Sequence, residues 1–437
     1  MIMNSIARKV FQTCEVPDDL DSVISIDEDI ETKPEIVGLT QTNIDAIWDQ
    51  TKKLYRTGAH PAISISIRRK GRLVISRALG HVTGNGPKDD VNTKKIVATT
   101  GTPFCIFSSS KGVTALLMHM LAEEGLVNIM DPVAFYAPEF ARNGKKNITI
   151  HQILAHRGGI PGLPASAGVD TLWDENEVWR LLCEAKPIIT DGSQLAYHAI
   201  TGGFVLEQIV KKVTGESINQ YINKKIRMPM GMKYFSYGIE QENLHEIATH
   251  YHTGLRPGLL TGRFVKRALG ETLPNVEKAC NDPRFQKAVI PAGNLVSTAN
   301  ESSAFFQMML DGGVWQNKRI CREETVARAI QEYGNRTFDR TLLMPMRYSA
   351  GLMLGDEPFG IWGPASKHAF GHLGLANKFC WADPVREISV AILNSGLAMI
   401  GPHIAPLVNL IRSIGNNIPA KSEPRIFSYG IGQRQEK

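Results

Sequence analysis

The sequence predicts an α/β (α+β) architecture, an antiparallel sheet flanked by helices and interrupted by a mostly helical subdomain. Three observations carry this expectation. Two β-rich runs, AISISIRR and GRLVISRALG, lie near the amino end; helical apolar stripes fill the middle; and the strand-like runs NKFCWAD and REISVAILN return near the carboxyl end. One sheet is therefore expected to be left and re-entered, and no internal repeat competes with that arrangement. A length of 437 residues suits a single unit carrying an insertion, and 43% hydrophobic with 21% charged residues is the make-up of an ordinary globular chain.

The elements follow in order. Residues 1–38 include the acidic stretch PDDLDSVISIDEDIETKPE and show no periodicity long enough to anchor a core, so they read as an N-terminal extension. Ile44, Ile47, Trp48, Thr51 and Leu54 recur at helical spacing before Gly58, which predicts a first amphipathic helix. Arg68-Arg69-Lys70-Gly71 then separates the two β-rich runs as a hairpin turn. Between residues 103 and 285 the runs KGVTALLMHMLAEEGLV, HQILAHRGG, GGFVLEQIVKKVTG and ESINQYINKKI each carry an apolar stripe and define the helical subdomain. The sheet-bearing parts are expected at 39–102 and 286–415. A last helix, IAPLVNLIRSIG, precedes a polar tail at 416–437.

Composition excludes several function classes. The net charge of +6 is small and the basic residues are dispersed, which argues against a nucleic-acid partner. Cysteines at 14, 105, 183, 280, 321 and 380 form no CxxC pair, so neither a zinc site nor a disulfide framework is expected; reduced thiols in the cytoplasm fit best. The first twenty residues contain no apolar run of signal-peptide type, and no stretch approaches the ~18 apolar residues of a membrane span.

The strongest chemical signal is FCIFSSSKGVTALLMHML. Ser108 is followed three residues later by Lys111 where a striped helix begins, so one turn brings the two side chains together. A serine hydroxyl is a weak nucleophile until a base takes its proton, and a desolvated lysine is such a base. Ser108 is the only serine in the chain with a lysine at that distance. The competing reading is that Ser108 to Ser110 simply cap the helix. A second candidate is Tyr197, in GSQLAYHAITGG: beside an ammonium it could be held as phenolate and shuttle the proton. Its competing reading is a half-buried packing tyrosine. The third segment, KHAFGHLGLANKFCWADP, brackets His372 and Gly374 ahead of a strand, where backbone N–H groups can stabilise an oxyanion; a plain tight turn is the alternative.

Taken together, Phe107-Ser108-Ser109-Ser110-Lys111, Tyr197-His198-Ala199 and His372-Leu373-Gly374 resemble the S-x-x-K, Y-x-N and K-T-G boxes of the serine β-lactamase and penicillin-binding-protein superfamily, closest to family VIII carboxylesterases. The resemblance spans roughly Pro61 to Gly396. It implies the β-lactamase/transpeptidase-like fold and a Ser108 acyl-enzyme, with Lys111 and Tyr197 moving protons and the N–H groups of Ser108 and Leu375 as oxyanion donors. It implies no metal and no cofactor. Ala199 replaces the asparagine of the second box and His372-Leu373 the Lys-Thr of the third. These departures shift the expected substrate from β-lactams and peptides toward neutral esters or lactones. His372 is expected to position Tyr197 or the acyl group, and Trp362 and Phe370 are candidates for lining an acyl pocket.

Other readings remain in play: a β-lactamase or D-amino-acid peptidase, an acyltransferase of the same fold, and a catalytically silent binding protein. His245-Glu246 with His250 imitates a zinc-protease motif, but its histidines are five apart instead of four. PASAG has Pro164 where a G-x-S-x-G elbow needs glycine.

Overall fold

The computed structural model describes residues 10–90, 92–164, 167–256 and 271–421. Its centre is an eight-stranded antiparallel sheet built from β1 (Ile24–Ile26), β2 (Ala62–Arg69), β3 (Arg72–Thr83), β4 (Ile96–Val97), β5 (Met353–Leu354), β6 (Phe370–Gly374), β7 (Lys378–Asp383) and β8 (Ile388–Asn394). The order across the sheet is β5-β6-β7-β8-β2-β3-β1, with β4 paired to β3. The C-terminal strand β8 lies directly against β2 over Ile63 to Arg69, so the sheet is indeed left and re-entered.

Alternation along β2 sets the two layers. Ile63, Ile65 and Ile67 point into a core completed by Ile44, Ile47 and Trp48 of α1 (Gln41–Tyr55) and Leu407, Leu410 and Ile411 of α5 (Ile404–Asn417). Ser64 and Ser66 take the opposite face, where the Ser66 hydroxyl bonds Asn300 and Ser303 of α4 (Ala299–Leu310), each at 2.8 Å. The β2–β3 turn is only Lys70-Gly71, both with positive φ, which is the tight turn a twisted hairpin requires.

Two helices from the middle of the chain position the chemistry. α2 (Ser110–Glu123) is buried on every side over Ser110 to Leu121, so it runs through the core instead of along the surface. α3 (Thr201–Thr214) packs beside it. The middle region also holds the short strands Phe104–Cys105 and Ser236–Tyr237, which flank Leu295–Ser297 in a three-stranded sheet.

The amino-terminal stretch departs from its reading as an extension unable to anchor a core. β1 adds to the sheet edge, with Ile24 opposite Leu79 and Ile26 opposite Arg77, and Leu20, Val23 and Val37 are buried. Glu31 holds the Arg77 guanidinium through two bonds of 2.9 and 2.8 Å, while Arg77 lies over the Trp48 ring. Acidic composition hid this role because it satisfies a specific buried cation. At the other end α5 runs to Asn417, and residues 422–437 of the expected tail lie outside the described residues. Among the described residues no helix is long and apolar enough to cross a membrane.

Candidate active site

Ser108 sits in a single 3₁₀ turn, Phe107–Ser109, that feeds α2. The turn is fixed from three sides. Ile106 N donates to Leu295 O at 2.9 Å, the Ser109 hydroxyl donates to His372 O at 2.9 Å, and the Ser110 hydroxyl accepts from Leu295 N while donating to Phe107 O. Phe107 holds a φ of +45°, a strained conformation for a bulky residue, directly before the serine. Ser109 and Ser110 therefore brace the turn, and no side-chain cap bond is made at the helix start.

One helical turn on, Lys111 Nζ lies 3.2 Å from Ser108 Oγ. It also donates to Ala199 O at 2.7 Å and Ala292 O at 2.8 Å. Ala292 can approach because residue 203 on α3 is glycine: a Cβ there would stand 2.5 Å from Ala292 N. Complete burial pushes the Lys111 ammonium well below its ordinary value.

Tyr197 closes the cluster. Its phenol lies close enough to Ser108 for the two to interact, and Lys111 Nζ stands 4.8 Å from the ring centroid. Burial raises the phenol above its usual range, the Ser108 contact opposing this and the nearby Asp339 adding to it. Desolvation thus favours a neutral amine beside a neutral phenol, which corrects the phenolate expected from the sequence. Tyr197 is held by groups that sequence patterning missed. Asp339 accepts from Tyr197 N at 3.2 Å, and from the amides of Thr341 and Leu342 at 2.8 and 3.0 Å. The His156 ring packs on Tyr197 at 4.5 Å, and its Nδ1 accepts from His198 N at 3.2 Å. Backbone carbonyls and a buried acid at the end of the distant strand Thr337–Asp339 leave no local motif; the clue to His156 was its place in HQILAHRGG.

The third segment lies on β6 and the turn after it. His372 is fully buried 6.1 Å from the Tyr197 ring, and its Nδ1 bonds Leu373 O at 2.8 Å. Burial lowers this imidazole to about 3, with Lys111 adding to the effect, so it is neutral at physiological pH. Gly374 is required by space: a Cβ would come 2.3 Å from Ile106 O. Leu375, the first residue past the strand, lines the same cavity as Ser108.

That cavity, about 100 Å³, is walled mainly by Phe107, Leu172, Ile200, Phe285, Ile290 and Leu375. Glu271 is the one charged side chain among its described lining residues. Trp362 and Phe370 do not line it, against expectation. Trp362 stacks on Trp381 at 5.6 Å and donates its indole N–H to Met353 O, and Phe370 is a fully buried strand residue. They fill two separate cores, Phe370 with residues of α2 and Trp362 with residues of α1 and α5. Glu246 of the zinc-like decoy pairs with Lys233 in a non-helical loop, while His250 packs on Phe107 at 4.9 Å.

Comparison with known proteins yields a match to the family model described as Beta-lactamase over residues 41–406. Among curated relatives, the esterase/beta-lactamase LipL of Mycobacterium tuberculosis is 27% identical over 314 residues, which are 69% of this chain and 70% of that protein. The crystal structure of a family VIII carboxylesterase shares the fold with a TM-score of 0.72 at 23% identity, covering 86% of this chain and 98% of its own. A penicillin-binding-protein homologue from Caulobacter crescentus gives 0.70 at 24% identity, with 87% and 99% covered.

Proposed function

Because the chain belongs to the beta-lactamase family of serine hydrolases, we propose that it is a carboxylesterase that cleaves neutral short- to medium-chain esters or lactones through a Ser108 acyl-enzyme. The observation that carries this reading is the coordination of Lys111. Its Nζ has three polar neighbours, Ala199 O, Ala292 O and Ser108 Oγ, at 2.7, 2.8 and 3.2 Å, so a neutral amine that donates to the two carbonyls keeps its lone pair for the Ser108 hydroxyl. The amine lone pair is thereby directed at the hydroxyl it must deprotonate.

The steps balance with these groups alone. Ser108 Oγ passes its proton to Lys111 Nζ and bonds to the ester carbon. The carbonyl oxygen becomes an oxyanion that accepts from the N–H groups of Ser108 and Leu375, donors of a kind worth roughly 3 kcal/mol each. The Tyr197 phenol gives its proton to the departing alkoxide as the C–O bond breaks, and regains one from the Lys111 ammonium. Water then adds by the reverse sequence and releases the acid. His372, neutral beside Tyr197, supports the ring without adding charge. The scheme takes a small-molecule ester as partner and calls on no cofactor.

The cavity favours esters over β-lactams. Its walls are apolar, it presents a carboxylate and no cation among the described lining residues, and a substrate carboxylate would find no partner there. At about 100 Å³ it is well under the ~300 Å³ at which drug-sized ligand pockets begin, so a short acyl chain fits best. Six unpaired, buried cysteines suit a reducing compartment, and a cytoplasmic location is part of the proposal.

The test is hydrolysis of p-nitrophenyl esters from acetyl to long acyl, beside a chromogenic cephalosporin, with wild type and Ser108→Ala. Ester turnover that peaks at short chains and vanishes in the variant is the expected result. Cephalosporin cleavage outrunning ester cleavage would favour the β-lactamase side of the LipL description instead, and equal activity in both proteins would remove Ser108 from the mechanism.

A further inference from the structure

A second buried lysine lies beneath the site. Lys378, on β7, is 0% exposed and has no carboxylate partner among the described residues, an arrangement costly enough to need a reason. Its Nζ donates to Leu375 O at 3.2 Å and Asn394 Oδ1 at 3.4 Å, and stands 4.9 Å from the centroid of the Phe107 ring. The Asn394 amide in turn donates to Ala376 O at 3.2 Å and Asn377 O at 2.9 Å. Asn377 continues the chain to Ala398 O at 2.8 Å and His403 Nε2 at 3.0 Å. Ala376 and Asn377 both carry positive φ, a conformation that asparagine adopts readily and alanine at a cost.

We propose that Lys378, with Asn394, is a positioning residue that locks the two halves of the oxyanion hole to each other. One ammonium grips the carbonyl of Leu375 and underlies the ring of Phe107, the residue before Ser108. The two N–H donors assigned above thus have their relative distance set from below the active site. This inference rests on the proposed Ser108 acyl-enzyme. Groups facing Lys378 from the elements around it are Cys105, Cys280, Cys380, His60 and His250; none is a carboxylate, so none of them supplies the ammonium with a counter-ion.

The role predicts a defect confined to the transition state. A shift of about 1 Å between catalytic groups can cost on the order of 10²-fold in rate. Lys378→Met should therefore lower kcat by about that factor with KM for p-nitrophenyl butyrate within about threefold of wild type. Inhibition by an alkylboronic acid, whose tetrahedral adduct carries the oxyanion, should weaken in parallel. Asn394→Asp is the second variant: it keeps an acceptor for Lys378 but replaces the donor to Ala376 O and Asn377 O, and should show the same split to a smaller degree. All rates are referred to active sites counted by fluorophosphonate labelling, so a misfolded fraction does not mimic the effect. Lys378→Met with wild-type kcat per labelled site and unchanged boronate affinity would overturn the inference. A wild-type protein that neither labels nor turns over at Ser108 would instead overturn the reading beneath it.

Discussion

Lys111 and Lys145 are both buried lysines held by three acceptors, yet only one stands at a reactive group. Lys145 donates to Arg142 O at 2.7 Å, Cys183 O at 2.9 Å and Ala185 O at 2.5 Å, tying the 138–148 segment to the end of the helix Glu175–Glu184. Three carbonyls consume the three hydrogens of an ammonium and have no proton to give back. At Lys111 one of the three acceptors is a hydroxyl, which can donate as well as accept. Burial alone therefore marks neither lysine as functional. Desolvation lowers both ammonium groups, and the third ligand separates their roles: a carbonyl can only accept, while the Ser108 hydroxyl has a proton to give to the amine.

The comparison is broken most directly by deleting each partner. Ser108→Ala and Lys111→Met should each reduce ester kcat by at least ~10³-fold, because residues that act as a unit fail together. Tyr197→Phe should cost ~10²- to 10⁴-fold, the range for a lost general acid. Lys145→Met should leave kcat/KM within about twofold to threefold while lowering the urea-derived stability by about 1–3 kcal/mol, the cost of orphaning buried carbonyls. A comparable activity loss in Lys145→Met would mean that the two lysines are not distinguished in the way described.

Two pH measurements sharpen the same contrast. Burial lowers Lys111 well below the ordinary lysine value, so kcat/KM should rise with pH through that lowered value and then hold level, without requiring the alkaline pH at which a free lysine ionises. Stability should follow the buried imidazoles. His119 and His198 are lowered to about 4 and His372 to about 3, each chiefly by desolvation. The unfolded chain binds their protons near pH 6.5, so the stability is complete above that pH and is lost as pH falls toward 4 and then 3. Urea midpoints recorded from about pH 7 to pH 4 should decline steadily. The smallest expected effect is Trp362→Phe, which should cost some stability through its Trp381 stacking and leave the acyl-chain preference where it was.

Much of the site was legible because the chemistry is local. Ser108 and Lys111 share one helical turn, and Gly374 and Leu375 sit at a strand end whose alternation could be read. What stayed hidden was carried by backbone or by distance. Ala199 and Ala292 contribute carbonyls, which leave no trace in side-chain type, and Asp339 comes from 142 positions beyond Tyr197 to hold its amide. The sheet was legible in β2, where Ile-Ser alternation fixes both faces, but not in β1, a three-residue strand inside an acidic stretch too short to show a period. Trp362 and Phe370 misled because nearness in sequence to the third box does not place a ring in the cavity: Trp362 packs on the opposite side of the sheet, and Phe370, on the α2 side, is fully buried in the core.

The account stands on covalent chemistry at one hydroxyl. Its most direct test is intact-protein and peptide mass spectrometry of the enzyme quenched during turnover of p-nitrophenyl butyrate. A butyryl adduct confined to the peptide containing Ser108, and missing from Ser108→Ala, is the predicted result. Steady ester turnover with no acyl adduct at Ser108, or an adduct on another residue, would contradict it.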